Sequence, residues 1–135
     1  MKLSEAILLG SISTKQGFGP MSIYTESQEK CAFGAALVAI NEEYSYSKGS
    51  CGRVYTRILE LWPWLVRKID ESNSPVSPLN GDTILNTIWR VNDTYRWSRP
   101  RIAQWVAEQE AIYDTVPEEV IPILTSEPAF SVKPE

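Results

Sequence analysis

The sequence predicts an all-α fold, a compact bundle of four or five short helices with long loops and an extended C-terminal tail. Apolar residues recur at helical spacing over most of the chain. The stretch from Cys31 to Ile40 is apolar on all sides, which is typical of a central helix that several neighbours surround. Prolines recur after residue 116 and disfavour helix there. We therefore predict a single helical domain over residues 1–116 and a proline-rich tail over 117–135, partly packed on that domain.

The first two helices are predicted from apolar spacing and from residues that favour helix ends. Leu3 and Ile7 mark the first helix, and Gly10 is predicted to end it. Ser27 is predicted to cap the central helix, which runs to about Ile40. The loop between the two helices contains Gly-Phe-Gly at residues 17–19. Its glycines either let backbone approach a ligand or lie in a loop that the phenylalanine fixes to the core, and the second interpretation is favoured.

The third helix is predicted from Arg53 to Asp70, with a break at Pro63. A proline inside a helix removes a hydrogen bond, so the helix kinks or restarts there. Trp62 and Trp64 flank the break. They form either an exposed aromatic binding patch or the packing around the kink, and packing is the favoured interpretation.

The stretch Asp82–Tyr113 is predicted to form two amphipathic helices that meet at a tight corner. Apolar residues in each half recur at spacings that place them on one helical face. Asp82 is predicted to cap the first of these helices and Ser98 the second. Pro100 follows in the first turn, where its missing N–H carries no cost.

Charged and aromatic side chains crowd this corner and form the candidate interaction surface. Its members are Arg90, Asp93, Arg96, Trp97, Arg99 and Arg101. The four arginines can bind phosphate from a helix-turn-helix frame. Alternatively, Asp93 pairs with one arginine and fixes the corner, while the others lie in solvent beside Trp97. The second interpretation is favoured, because the helix after the corner soon becomes acidic at Glu108 and Glu110.

Composition and charge limit the classes of function. The hydrophobic fraction of 43% and the charged fraction of 22% are those of a soluble globular protein. The net charge of −4 at pH 7 disfavours nucleic acid as a partner. No apolar run approaches the roughly 20 residues that a membrane helix needs, and the N-terminal segment, with Glu5, is too short and too acidic for a signal peptide. We predict a cytoplasmic protein without membrane contact.

The chain contains no histidine, which excludes catalytic triads, histidine general bases and histidine metal sites. Cys31 and Cys51 lack a Cys-x-x-Cys partner, so no metal site is predicted. Neither a Walker A motif nor GxGxxG is present, so no cofactor is predicted. An enzyme would depend on carboxylates such as Asp93, Glu42 or Glu43 in a pocket with an apolar wall. We predict no catalytic residue.

Two groups of short segments stand out in the sequence. The first is KLSEAI, QGFG and CAFGAAL at residues 2–7, 16–19 and 31–37, and the second is ND, RWSR and IAQWV between residues 92 and 106. The first group resembles the front, and the second the ending, of a group of small uncharacterised bacterial and phage proteins. The resemblance also implies a Cys-x-x-Cys ribbon before the last helices, whereas residues 72–80 here contain no cysteine. It implies a related fold and carries no activity over to this chain.

Three functions therefore compete at the level of the sequence. The leading hypothesis is a small non-enzymatic binding protein, related to phage or mobile-element proteins, that acts through a protein partner or self-association. The first alternative is a nucleic-acid-binding protein that uses Arg90, Arg96, Arg99 and Arg101. The second alternative is the carboxylate-dependent enzyme.

Overall fold

The computed structural model describes residues 1–49, 51–70, 72, 74–77 and 81–113. Within these residues the chain is mostly helical, and it contains five α-helices. They are α1 Leu3–Ser13, α2 Ala32–Ala39, α3 Cys51–Leu61, α4 Ile84–Asp93 and α5 Arg99–Tyr113. The predicted domain boundary at residue 116 and the predicted tail over 117–135 lie outside the described residues.

A small parallel sheet corrects the all-α prediction. Strand β1 (Lys15–Gln16) pairs with β2 (Glu29–Lys30), and the Gly17 N–H extends the ladder to the Lys30 carbonyl at 2.9 Å. Gly17 permits this pairing, because a Cβ there would lie 2.7 Å from the backbone of Glu29. Two-residue strands are too short to produce an alternating pattern, so the sequence did not indicate them.

Helix α1 does not end at Gly10 as predicted, but continues to Ser13. Gly10 faces the backbone of α2, and a Cβ at this position would lie 1.8 Å from the Ala35 carbonyl oxygen. The glycine therefore marks a close helix crossing rather than a helix end. The small residues of α2, including Ala35 and Ala36, are fully buried at the same contact.

Helix α2 is the buried central helix that the sequence predicts, but it begins later than expected. Cys31, not Ser27, is its N-cap, and the Gly34 N–H donates to the Cys31 sulfur at 3.4 Å. Residues 32–37 are all buried. The segment before Cys31 is strand β2, which removes the first turn that Ser27 was predicted to cap.

The break at Pro63 is confirmed. Helix α3 ends at Leu61, and the chain restarts as a short 3₁₀ helix, Pro63–Val66. The Trp62 indole is buried and donates to the Met1 carbonyl at 3.1 Å. The Trp64 ring stacks on Tyr113 with 6.0 Å between centroids. Both tryptophans therefore pack within the fold, as the favoured interpretation expected.

Helices α4 and α5 meet at a corner, as predicted, with one change of cap. Thr83 rather than Asp82 caps α4, since its hydroxyl accepts the Asn86 N–H at 3.1 Å. Ser98 caps α5 as predicted, because its hydroxyl accepts the Arg101 N–H at 3.3 Å.

Helix α5 runs antiparallel to α1 and fixes both of its ends. The Glu110 carboxylate accepts the Ser4 N–H at 3.0 Å and also the Ser4 hydroxyl. The Arg99 guanidinium donates to the Thr14 carbonyl at 2.6 Å and to the Thr14 hydroxyl at 2.7 Å. Both charges have the favourable sign for α1, because a helix is partially positive at its N-terminus and partially negative at its C-terminus, whereas for α5 itself the two signs are reversed. We call these contacts the α5 clamp (Ser4, Thr14, Arg99 and Glu110).

None of the helices in the described part of the chain has the length and hydropathy that a bilayer crossing requires.

Candidate functional site

The six residues of the predicted interaction surface do not form one surface in the structure. Arg99 lies in the interior rather than on a surface: only 5% of it is exposed, and it belongs to the α5 clamp. It also donates to the Lys30 carbonyl at 3.1 Å. Burial lowers the pKa of this guanidinium from its usual value, and the fixed acceptors around it stabilise the charge. Arg99 therefore cannot bind phosphate from solvent.

Arg90 is also mainly structural. One of its nitrogens pairs with the Asp82 carboxylate at 2.7 Å, and the other donates to the Ser77 carbonyl at 2.7 Å. The ion pair that the sequence placed between Asp93 and an arginine is instead formed by Asp82. Asp82 is buried, so this pair fixes the chain before α4 to the outer face of that helix.

Arg96 and Arg101 remain exposed, and each lies over an aromatic ring. The Arg96 guanidinium carbon lies 4.2 Å from the centroid of the Phe18 ring, and that of Arg101 lies 3.7 Å from the Trp97 ring. Cation–π contacts of this kind hold the guanidinium planes in place. The Gln16 amide fixes the corner by donating to the Trp97 carbonyl at 2.7 Å. We call this surface the arginine–aromatic edge (Phe18, Arg96, Trp97 and Arg101).

Phe18 differs from the favoured interpretation of its loop. The ring was expected to fix residues 14–20 to the core, but it is exposed and lies under Arg96. The backbone of Gly17 fixes the loop instead, through the sheet and through its carbonyl, which accepts from the Asn92 amide at 3.1 Å. Asn92 is buried, and its side-chain oxygen also accepts the Ala32 N–H at 3.2 Å.

A cleft of about 380 Å³ lies beside the outer face of α4. It is lined by Pro20, Tyr55, Asp82, Asn86, Trp89, Arg90 and Asp93. Trp89 is its aromatic wall, with the Phe33 ring 5.2 Å away on one side and the Tyr55 ring 6.1 Å away. We call it the α4 cleft.

Asp93 lines the α4 cleft without an arginine partner. One of its carboxylate oxygens accepts the Asn92 amide at 2.7 Å. Within the described residues no basic group lies within 4 Å of the Asp93 carboxylate. Arg90, one turn earlier on α4, pairs with Asp82 instead. The predicted role of Asp93 as the ion-pair partner at the corner is therefore taken by Asp82, and the charge of Asp93 faces the cleft uncompensated.

The outer face of α1 carries an exposed apolar surface that was not predicted from the sequence. Leu8, Leu9 and Ile12 are 47%, 48% and 83% exposed and follow one another along one helical face. We call them the α1 ridge. The signal was present in the letters ILLGSI, which are apolar on both faces of the predicted helix. A contiguous exposed apolar patch is a marker of protein contact.

Two of the three carboxylates that the enzyme hypothesis names share one pocket with an apolar wall. Glu42 and Glu43 line a second cleft of about 400 Å³ together with Ile23, Leu37 and Val38, on a different surface from Asp93. Glu42 accepts Arg57 hydrogen bonds at 2.8 and 3.0 Å and the Tyr44 hydroxyl at 2.7 Å. Hydrogen bonds from Arg57 and then Tyr44 lower the pKa of Glu42, which makes it a poor proton donor near neutral pH.

The remaining nucleophilic and metal-binding groups offer no site among the described residues. Burial raises the pKa of the Cys31 thiol, which is completely enclosed. Lys30 is buried and donates to the Tyr24 carbonyl at 2.6 Å, and its pKa is lowered by burial. No group of three cysteine or carboxylate side chains in the described ranges is placed to hold a metal ion.

Comparison with known proteins gives no match. No family model matches the chain, and neither a curated protein nor a solved structure is significantly similar to it. The resemblance to small bacterial and phage proteins therefore stays a prediction.

Proposed function

We propose that the protein is a non-enzymatic contact module that binds protein through the α1 ridge, with a second copy of the chain as the partner. The observation that carries the proposal is the 83% exposure of Ile12 beside Leu8 and Leu9 on the same helical face. Removal of apolar surface from water is favourable by about 25 cal/mol per Å². The described part of the fold covers little of this helix face, so burial of the face against a partner would contribute free energy to association.

The rigidity of α1 supports this proposal. Its inner face is buried against α2 and α5, and the α5 clamp fixes both ends with hydrogen bonds of 2.6 to 3.0 Å. A contact surface that is already ordered loses little conformational entropy when a partner binds. The ridge therefore presents three apolar anchors at fixed positions.

Charges near the two ends of the ridge favour a second copy as the partner. Glu5 lies one turn before Leu8, with Lys2 beside it, and Lys15 follows the C-terminal end of α1, so a carboxylate and an ammonium group flank the ridge. An antiparallel arrangement about a two-fold axis brings Glu5 of each chain towards Lys15 of the other. A stable interface takes roughly 20–30 residues on each side, so a ridge of three anchors implies weak association.

The test is a concentration series of light scattering on the full chain and on the double variant Leu8→Gln with Ile12→Gln. Glutamine is polar, uncharged and a good helix former, so the variant keeps α1 and removes the apolar ridge. We expect the mean mass of the wild type to rise with concentration and that of the variant to stay monomeric. Met21→Gln, a change at an exposed apolar residue outside the ridge, is the matched control. A wild type and double variant with the same mass at every concentration would refute self-association.

The arginine–aromatic edge supports a second candidate function, binding of single-stranded nucleic acid. Arg96 and Arg101 each present one guanidinium face to solvent and the other to a ring, and exposed bases stack on such planes. A helix-turn-helix reader is less well supported, because Arg99 is buried and Glu108 lies on the exposed face of α5.

A fluorescent single-stranded oligonucleotide tests this candidate at low salt. We expect binding to weaken with added salt and to be lost in the variant Arg96→Gln with Arg101→Gln. Arg53→Gln with Lys48→Gln removes the same charge outside the edge and is the control. The absence of binding at low salt would eliminate the candidate.

A further inference from the structure

The α4 cleft contains one negative charge more than the fold neutralises. Two carboxylates and one arginine line it. Asp82 and Arg90 pair at 2.7 Å, which compensates both of these charges. Asp93 accepts one hydrogen bond, from the neutral Asn92 amide, and meets no basic group among the described residues. The net charge of the described cleft lining is therefore −1, located at Asp93.

The position of Asp93 opposes local stability. It is the last residue of α4, where the helix dipole is partially negative. A carboxylate there is repelled by the partial negative charge at the C-terminal end of the helix. An asparagine could accept the same hydrogen bond from Asn92 without that repulsion. The charge of Asp93 thus serves neither the helix nor a described ion pair.

The aromatic wall of the cleft suits a positively charged ligand. Trp89 is half-buried between Phe33 and Tyr55, with ring centroids 5.2 and 6.1 Å away, so its orientation is fixed. The face of an indole attracts cations, and this attraction grows when the cation is partly removed from water. Trp89 and Asp93 lie one helical turn apart on α4 and line the same cleft.

We propose that the α4 cleft binds an organic cation, an alkylammonium or guanidinium group on an apolar body. The charged group lies against Asp93 and the indole of Trp89, while the apolar body packs on Pro20. The cleft volume of about 380 Å³ accommodates a group as large as a lysine side chain with its backbone. This site is separate from the α1 ridge and does not depend on self-association.

The experiment titrates the ¹⁵N-labelled full chain with N-acetyl-lysine methylamide at low salt and follows its N–H resonances. The spectrum of Trp89→Phe assigns the Trp89 indole signal. We expect this signal to move with the lysine probe and to move much less with N-acetyl-norleucine methylamide, which has a similar shape without the charge. Asp93→Asn should weaken binding of the lysine probe by at least about tenfold, because the opposing charge is lost.

Glu108→Gln removes an exposed carboxylate from α5 and serves as the matched control, with unchanged affinity expected. The melting temperature separates the proposed role from a structural one. Asp93→Asn should leave it unchanged or slightly raised, because the repulsion at the end of α4 disappears. Equal binding of the neutral norleucine probe overturns the proposal. So does unchanged affinity in Asp93→Asn, or an indole signal that does not move at about 20 mM probe.

Discussion

The two faces of α1 carry similar apolar residues, but one face is buried and the other is exposed. On the inner face, Leu3 and Ile7 are fully buried, and Gly10 touches the backbone of α2. On the outer face, the α1 ridge lies in solvent. The difference shows that α1 has more apolar surface than the described residues bury. We attribute the inner face to folding and the outer face to contact, and this assignment can be tested position by position.

The largest effect is expected from Gly10→Val. A Cβ at this position would meet the Ala35 carbonyl oxygen at 1.8 Å, and the obstacle is backbone that cannot move aside without separating α1 from α2. We expect a loss of about 4 kcal/mol or more in the free energy of unfolding, or failure to fold. Urea denaturation followed by circular dichroism measures it. Gly52→Val is a useful comparison, because nothing lies within 4 Å of a Cβ there. A Gly10→Val protein as stable as the wild type would show that α1 and α2 do not cross as described.

Ile7→Ala tests the inner face by deleting a fully buried side chain. The free energy of unfolding should fall by about 2–5 kcal/mol, because the change deletes buried apolar atoms and leaves a cavity in their place. Thermal and urea unfolding should both report the loss. A loss below about 1 kcal/mol would mean that the core around Ile7 is loosely packed.

Glu110→Gln tests the α5 clamp at the start of α1. The variant keeps the shape of the side chain but removes the charge that accepts from the Ser4 N–H and hydroxyl. We expect a loss of about 1–3 kcal/mol, as for a buried hydrogen bond to a charged group. Glu108→Gln, at an exposed position two residues earlier, should change stability by less than about 0.5 kcal/mol. Equal losses of stability in the two variants would contradict a stabilising role for the α5 clamp.

The smallest effect on stability is expected from Ile12→Gln. The residue is 83% exposed, so its replacement removes almost no contact from the monomer. We expect the free energy of unfolding at low protein concentration to change by less than about 0.5 kcal/mol. A loss comparable with that of Ile7→Ala would show that the ridge contributes to the fold.

Helical spacing in the sequence was sufficient to predict most of the architecture. The buried character of α2, the break at Pro63 and the cap at Ser98 all follow from local residue patterns, and the structure confirms them. The sheet was missed because its strands are two residues long and pair across a separation of 14 residues. Gly10 was misread because a glycine at a helix end and a glycine at a helix crossing give the same local signal.

The roles of individual side chains were harder to predict than the helices. Arg99 and Arg101 stand two positions apart, yet one is buried at the end of α1 and the other lies over Trp97. Arg99 is the arginine that is buried, because Thr14 accepts its hydrogen bonds. Thr14 is distant in the sequence, so the spacing of residues around the corner does not indicate this contact. The partner of Arg90 likewise lies outside its own helix, at Asp82, so the spacing within α4 could not indicate it.

Sedimentation equilibrium of the wild type and of Ile12→Gln, from about 10 µM to about 1 mM, tests the central claim most directly. The α1 ridge as a contact surface predicts a monomer–dimer equilibrium for the wild type and a monomer for Ile12→Gln, at equal melting temperature. A wild type that remains monomeric over the whole range, or a variant that associates as strongly as the wild type, would contradict the account.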